Sequence, residues 1–146
     1  MSTRARRGTF LLLLVAALIA APAAAADEDQ TFFYNITTDE TWAAGMALGQ
    51  ASKALEAGYD VVLFLNVRGV YLASTQRQQD TFAPTGHTAG EMLQAALEDG
   101  ARVIICPMCM KKAGLTMDDL IEGVERGGPD VTFEVMAAED TVVMSY

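Results

Sequence analysis

Two cysteines, Cys106 and Cys109, are the only thiols in the 146-residue chain, and they form a C-x-x-C pair. Such a pair can exchange with disulfides, carry sulfur or bind a soft metal ion. Met108 and Met110 flank the thiols, and thioether and thiolate sulfurs together suit Cu(I). Tetrahedral zinc would need two further ligands, for which the chain offers only His87 and carboxylates. The pair therefore indicates sulfur, redox or copper chemistry.

The residues around the cysteines predict a strand that leads directly into a helix. Residues 103–105 are an apolar, β-branched run, which is typical of a buried strand, and the predicted strand covers 101–105. Pro107 suits the first helical position, and Gly114 suits a left-handed stop after the last turn. Cys106 would then lie at the helix N-terminus, where unpaired backbone N–H groups and the helix dipole favour a thiolate over a thiol.

This placement makes Cys106 the candidate reactive sulfur. Lys111 and Lys112 would add positive charge within about one turn. At an i, i+3 spacing Cys109 can lie on the same helix face, so the two sulfurs can meet each other or a common ligand. An inert disulfide is the alternative, although a bridge that closes so small a loop removes little chain entropy.

Two polar residues after the second predicted strand are candidate substrate-binding residues. Asn66 and Arg68 follow the apolar run 61–65, and ligands of parallel sheets bind beyond the carboxyl ends of the strands. We expect them to orient an anionic sulfur donor, although a turn or a surface ion pair explains them equally well. His87 suits a capping or solvated role better than that of a catalytic base.

Strand and helix patterns alternate along the chain and predict a three-layer α/β/α domain with a mostly parallel, about five-stranded sheet. Residues 73–86 lack periodicity, which indicates a long polar loop. Thr37, Thr38 and Asp39 are candidate caps for the first helix. The predicted strands are 31–36, 60–65, 101–105, 131–136 and 141–144, and the predicted helices are 40–57, 87–99, a short one from Pro107, and 117–125.

Side-chain type also predicts burial. Trp42, Met46, Phe64 and Met92 are expected in the core rather than in a cofactor pocket. The acidic residues of the predicted helix 117–125 are expected to form a solvated face. They are Asp118, Asp119, Glu122 and Glu125.

The first 26 residues have the pattern of an export signal. Arginines precede an apolar run over residues 10–21, and alanines at 24–26 fit a small-residue cleavage site. We expect removal of residues 1–26 after export by the Sec or twin-arginine route. Residues 27–146 would then form one domain in the periplasm.

The chain is acidic, with a formal net charge of −9. All nineteen acidic residues lie beyond residue 26, whereas three of the ten basic residues lie within the signal, which leaves −12 on the mature chain. This charge argues against a nucleic-acid partner and against binding to an anionic membrane. An exported cysteine pair is oxidised by default, so sulfur transfer would require a reducing partner.

The order and spacing of several segments resemble the DsrE/TusD family of small sulfur-relay proteins. The likeness runs over nearly the whole mature chain. The segments that carry it are Glu56-Ala57-Gly58, Leu63-Phe64-Leu65-Asn66-Val67-Arg68-Gly69-Val70-Tyr71, Ile105-Cys106-Pro107-Met108-Cys109, Ala113-Gly114-Leu115, Leu120-Ile121-Glu122-Gly123-Val124 and Asp140-Thr141-Val142-Val143.

The resemblance implies a DsrE-like fold and a sulfur-carrying role for Cys106. In the family, the cysteine after the third strand holds sulfur as a persulfide and passes it to the cysteine of a partner protein. Cys109 matches a second cysteine that only some members have. Members form homotrimers, homohexamers or mixed hexamers, so self-assembly as a trimer or hexamer is expected, with no cofactor beyond the persulfide sulfur.

The predicted function combines these readings. A Cys106 thiolate would attack a persulfidic or polysulfidic donor, store the sulfur, and pass it to an acceptor thiol or lose it through resolution by Cys109. The family's relay members act in the cytoplasm, so their partners are not assumed for an exported chain. The competing hypothesis is a periplasmic thiol–disulfide or Cu(I)-binding module that uses both cysteines with Met108 and Met110.

Overall fold

The structure, a computed structural model, describes residues 30–146. The predicted export signal at residues 1–26 lies outside this range. Within the range, no helix is both long and apolar enough to cross a bilayer. The elements in chain order are β1 (Thr31–Ile36), α1 (Thr41–Glu56), β2 (Asp60–Leu65), a 3-10 segment (Gly69–Ala73), β3 (Thr81–Phe82), β4 (His87–Thr88), α2 (Ala89–Glu98), β5 (Arg102–Ile105), α3 (Pro107–Lys112), a second 3-10 segment (Met117–Asp119), β6 (Glu125–Arg126), α4 (Pro129–Met136) and β7 (Thr141–Ser145).

A parallel sheet of five strands organises the fold, with the order β6-β5-β2-β1-β7. The chain steps from β1 through β2 and β5 to β6, and then returns to place β7 at the far side of β1. The predicted α/β class with a five-stranded, mostly parallel sheet is confirmed. Strand β3, within the predicted loop, pairs antiparallel with β4, whose two residues were predicted as the start of the next helix. That helix, α2, begins at Ala89.

Apolar side chains alternate between the two faces of the sheet, as a sheet covered on both sides requires. On one face the larger core cluster, which includes Leu63 and Val103, packs with buried residues of α1 and α2. On the other face, Phe33, Val62 and Ile104 form a smaller cluster under two valines of α4. The sheet thus forms the middle of three layers.

Residues 131–136 form most of helix α4, so the predicted strand is wrong. Their apolar alternation is compatible with a strand, but Pro129 occupies the first turn of a helix. Val131 and Val135 are one helical turn apart, and both pack against the smaller cluster. Because β6 and β7 lie at opposite edges of a parallel sheet, a crossover between them is required, and α4 provides it.

The predicted helix over residues 117–125 is also wrong, since only one 3-10 turn forms there. The side chain of Asp119 accepts hydrogen bonds from the N–H and hydroxyl of Thr116, which closes the turn. Leu120 is then extended and only 8% exposed, because its side chain joins the larger core cluster. Gly123 has φ +91, a left-handed conformation that ends any helix. The predicted acidic helix face therefore does not form. Glu125 lies in β6 instead and forms an ion pair with Arg102 of β5.

Helix α1 buries small residues rather than the large ones that were expected in the core. Trp42 is 72% exposed and Met46 is 44% exposed, so these two core predictions are wrong. Alanines, Gly45 and Leu48 form the buried face instead, and they let the helix approach its neighbours closely. The helix N-cap is Glu40, whose carboxylate accepts the N–H groups of residues 42 and 43, rather than residues 37–39.

The fold predicts that alanine substitution has opposite effects on stability at two glycines, Gly69 and Gly49. A Cβ at Gly69 would overlap the backbone carbonyl oxygen of Ile36, so Gly69→Ala must shift the end of β1. We expect this substitution to lower the free energy of unfolding by about 1–3 kcal/mol. Gly49→Ala is the control, because the nearest atom to its Cβ would be Met92 Cε at 4.0 Å.

Gly49 lies inside α1, where alanine is the better helix former, so the control is expected to stabilise the protein by about 0.5–1 kcal/mol. Urea denaturation curves of the two variants measure both effects. Equal unfolding midpoints for Gly69→Ala and the wild-type protein would contradict the packing described here.

Candidate functional site

Cys106 lies at the junction of β5 and α3, at the carboxyl end of the sheet. Its backbone N–H donates to the carbonyl of Leu65 at 2.9 Å, and its carbonyl accepts the N–H of Met110 at 2.9 Å. The first bond extends the pairing of β5 with β2, and the second closes the first turn of α3. Cys106 is the N-cap of this helix, and its Sγ accepts the backbone N–H of Cys109 at 3.4 Å. The predicted strand-to-helix junction is therefore observed.

Cys109 lies one turn further along α3 and packs its half-buried side chain against the larger core cluster. Burial raises the pKa of the Cys109 thiol, the neighbouring Cys106 side chain raises it further, and a hydrogen bond to the Val67 backbone acts in the opposite direction. Both thiols are free rather than bridged. Burial consequently favours the protonated form of the Cys109 thiol.

The backbone that faces Cys109 is strained. Val67 has φ +48, in the left-handed region, where a β-branched residue is unfavourable by roughly 1–2 kcal/mol. It is the second residue after β2, in a turn where the N–H of Arg68 donates to the carbonyl of Thr37 at 3.0 Å. The strain therefore sits in the turn that contacts the second thiol.

The two thiols open into different cavities. Cys106 lines a cavity of about 460 Å³ between the end of the sheet and α4. Cys109 lines another, of about 440 Å³, beside the turn that follows β2. Met108 is 79% exposed and lines both cavities, so its side chain lies between the two thiol sites.

A row of polar side chains crosses the end of the sheet toward Cys106. Asn35 donates through Nδ2 to Ser145 Oγ at 3.1 Å and accepts a hydrogen bond from Asn66 Nδ2. Asn35 and Asn66 both line the Cys106 cavity. Sequence reasoning found Asn66 but missed Asn35. The available signal was a single amide inside the otherwise apolar first strand.

Arg68 lies in the other cavity and is held by a carboxylate. Its Nε and Nη2 donate to the two oxygens of Asp39 at 2.7 and 2.8 Å, and Arg77 Nη2 also contacts Asp39 at 3.1 Å. Hydrogen bonding to Asp39 raises the pKa of the Arg68 guanidinium. The Arg77 guanidinium lies 4.0 Å from the centre of the Tyr71 ring. Arg68 is thus part of an ion-pair network beside the second thiol.

The remaining predicted site residues are separated by the fold. Asn66 shares a cavity with Cys106, whereas Arg68 does not. His87 is exposed in β4, where its Nδ1 is 3.8 Å from a carboxylate oxygen of Glu91, and it lines neither cavity. The lone histidine is accordingly remote from the thiols.

The four sulfur ligands of the copper hypothesis are not gathered at one point. Met110 is 8% exposed and belongs to the larger core cluster, whereas Met108 is exposed. Met108 is therefore the available third donor beside the two thiols. Within residues 30–146, no group of three His, Cys, Asp or Glu side chains is placed to hold a metal ion.

The fold and the thiol junction define an α/β protein with a cysteine site at the carboxyl end of a parallel strand. Residues 30–144 match the DsrE/DsrF-like family. The chain therefore belongs to this family.

Two curated relatives resemble part of the chain. The uncharacterized protein MK0008 of Methanopyrus kandleri is 38% identical over 79 residues, which cover 54% of this chain and 62% of that protein. The uncharacterized protein MJ0989 of Methanocaldococcus jannaschii is 39% identical over 79 residues, which cover 54% of this chain and 66% of that protein. The chain thus spans less than two thirds of the length of either relative.

Two solved structures have a similar fold. The ychN protein of E. coli has a TM-score of 0.63 at 17% identity, over 81% of this chain and 99% of that chain. The protein of unknown function MTH1491 of Methanobacterium thermoautotrophicum has a TM-score of 0.62 at 17% identity, over 81% of this chain and 100% of that chain. At this identity the likeness concerns the fold.

The environment of Cys109 predicts the pH dependence of its alkylation. Because burial raises the pKa of this thiol, its thiolate fraction is small at neutral pH and grows only above the ordinary thiol range. We expect iodoacetamide to label Cys109 slowly at pH 7, with a midpoint above that of the same cysteine in the urea-unfolded chain. Site-resolved mass spectrometry measures both profiles. A folded-state midpoint at or below the unfolded one would contradict this environment.

Proposed function

We propose that this protein is a sulfur carrier, in which Cys106 takes sulfane sulfur from a donor, holds it as a persulfide and passes it to the thiol of a partner protein. The observation that carries the proposal is the position of Cys106 Sγ, at the N-cap of α3 and on the wall of a cavity. Membership of the DsrE/DsrF-like family is consistent with a sulfur-relay-like role.

The local backbone suits a sulfur that carries negative charge. The N–H of Cys109 already donates to Cys106 Sγ at 3.4 Å. Because this N–H already points at Sγ, it needs no rearrangement to donate to a sulfur that develops charge during transfer. The adjoining cavity of about 460 Å³ leaves room for an additional sulfur atom and for the group that delivers it.

The transfer proceeds by two displacements at sulfur. In the first, the Cys106 thiolate attacks the outer sulfur of the donor, a new S–S bond forms, and the donor's S–S bond breaks with its electron pair on the leaving thiolate. In the second, an acceptor thiolate attacks the outer sulfur of the persulfide and displaces the Cys106 thiolate. The carrier returns to its starting state, and no external oxidant or reductant is consumed.

Cys109 has a slower role as the resolving thiol. Its attack on Cys106 would release the outer sulfur as hydrosulfide and leave a disulfide, which a reductant must then open. That attack needs the Cys109 thiolate, which burial disfavours because it raises the Cys109 pKa. Burial of Cys109 therefore slows resolution and favours transfer of the sulfur to an acceptor.

The proposal includes a cellular setting and partners. We expect residues 1–26 to direct export to the periplasm, where a thiol protein serves as sulfur donor or acceptor. We also expect assembly with further copies of the chain as a trimer or hexamer. In support, β7 is an edge strand that exposes Val142 and Val143 by 40% and 44%, and such edges readily pair or pack with another chain.

Sulfur loading of single-cysteine variants tests the carrier function. The protein without residues 1–26 is reduced, freed of reductant and exposed briefly to inorganic polysulfide, and its intact mass is then recorded. We expect Cys109→Ser to gain whole sulfur atoms that a reductant removes, because the Cys106 thiolate remains available. Cys106→Ser is expected to gain none and serves as the matched control.

Loading of neither variant, under conditions that label a known carrier, would refute the proposal. The position of Met108 between the two thiol cavities would then favour a Cu(I) site. Stoichiometric Cu(I) uptake by the wild-type protein that is lost in Cys109→Ser would identify that function.

A further inference from the structure

We propose that the cavity beside Cys106 binds the uncharged, apolar organic group of a small persulfide, R–S–S–H, and that such molecules are the preferred sulfur donors. This inference rests on the proposed carrier function and specifies the class of donor.

The lining of the Cys106 cavity is uncharged and mostly apolar. Apart from Cys106 itself, no ionisable side chain lines it among residues 30–146. A charged organic group would lose hydration there without gaining a partner of opposite charge, whereas an apolar group would lose unfavourable contact with water. The apolar walls come from β2, α3 and α4: Phe64, Pro107, Met108, Pro129, Phe133 and Met136.

The cavity of the second thiol provides an internal contrast. Arg68 and Lys112 both line the Cys109 cavity, on a chain whose formal net charge is −9. Arg68 is paired with Asp39, so Lys112 is the cationic group of this lining that is left for a bound molecule. Within the part of the chain that the structure describes, no charged side chain lines the Cys106 cavity, so the two cavities differ in the charge of their linings.

The apolar side chains around Cys106 are exposed to water and leave a volume that suits a small molecule. Met108 is 79% exposed, Phe133 is 64% exposed and Met136 is 37% exposed. Contiguous exposed apolar groups mark binding sites more often than free surface. A volume of about 460 Å³ lies within the usual range of small-molecule sites.

The polar end of the cavity suits the sulfur end of such a donor. Asn35 and Asn66 contribute neutral amides at the carboxyl end of the sheet, next to the thiol. An organic persulfide likewise has one apolar end, the R group, and one polar end, the terminal S–H. The donor therefore has one orientation in which its outer sulfur faces Cys106 and its R group lies against α4.

Loading of sulfur onto Cys106 requires no oxidant or reductant other than the donor. The Cys106 thiolate attacks the terminal sulfur of R–S–S–H, and the bond between Sγ and that sulfur forms. The bond between the two donor sulfurs breaks, and R–S⁻ leaves with the electron pair and later takes a proton from water. Cys106 becomes Cys–S–S–H, and the oxidised sulfur atom has moved from donor to protein.

A comparison of two persulfides that differ in charge tests the donor class. The organic group of benzyl persulfide is uncharged and apolar, whereas that of glutathione persulfide carries carboxylates; the terminal S–S–H is common to both. The rate of sulfur gain at Cys106 is followed by mass spectrometry in the Cys109→Ser background. We expect benzyl persulfide to load at least about tenfold faster than glutathione persulfide, which is the discrimination that an apolar pocket provides for a small apolar group.

Variants of Phe133 locate this preference in the cavity. Phe133→Ala removes one apolar wall, so the benzyl rate is expected to fall several-fold while the glutathione rate is unchanged. Phe133→Leu keeps an apolar wall and is expected to retain most of the benzyl rate. Trp42→Ala is the matched control, because Trp42 is a similarly exposed aromatic side chain on α1 that does not line the cavity.

Equal loading rates for the two persulfides, or a benzyl rate that Phe133→Ala leaves unchanged, would overturn the inference. Inorganic polysulfide is run in parallel, since failure of all three donors refutes the carrier function itself rather than the donor class. Sedimentation of Phe133→Ala is measured as well. Weakened self-association together with no preference for benzyl persulfide would show that a second copy covers the cavity, which also overturns the inference.

Discussion

The site depends on one constraint, which is that parallel strands end at the same edge of a sheet. The N–H of Cys106 donates to the carbonyl of Leu65, so the cysteine continues the pairing of β5 with β2 for one residue beyond the strand. The chain then turns at once into α3, and Sγ accepts an N–H from the first turn. Any change that moved this junction would move the thiol away from both the helix N-terminus and its cavity.

The position of the β5–α3 junction at the end of the sheet also gives the two thiols different surroundings. Cys106 faces the side of the sheet covered by α4, where the core cluster is small and the cavity walls are apolar. Cys109 packs against the larger cluster, where burial raises its pKa, and its cavity includes cationic side chains. A spacing of three residues on a short helix thus places the two half-buried sulfurs beside different cavities.

Much of the fold could be predicted because its central strands have a strong local signal. Residues 61–65, for example, are apolar on both faces of β2 and are bounded by the polar residues Asp60 and Asn66. Their length and composition both indicate a buried strand. The pattern of segment 131–136 is ambiguous. Val131 and Val135 are four residues apart, which places them on one face of either a strand or a helix. The requirement for a crossover to β7 decided in favour of a helix, and that requirement is not visible locally.

Some features of the site could likewise be predicted from neighbouring residues, whereas others depend on contacts between residues that are distant in the sequence. The position of Cys106 could be predicted because proline and a β-branched run mark the junction within a few residues. The grouping of Asn35 with Asn66, and the separation of Arg68 from Cys106, depend on strand order and on the Asp39 ion pair. Burial of Met110 and exposure of Trp42 follow from which helix faces meet the sheet, and short sequence windows do not contain that information.

Transfer of sulfur out of the protein tests the central claim most directly. The Cys109→Ser variant is loaded with isotopically labelled sulfur, freed of excess donor and mixed with a reduced peptide that contains one cysteine. If Cys106 is a carrier, the protein returns to its unmodified mass while the labelled atom is found as a persulfide on the peptide cysteine. Label that remains on the protein, or leaves only as hydrosulfide while the peptide stays unlabelled, would contradict the account.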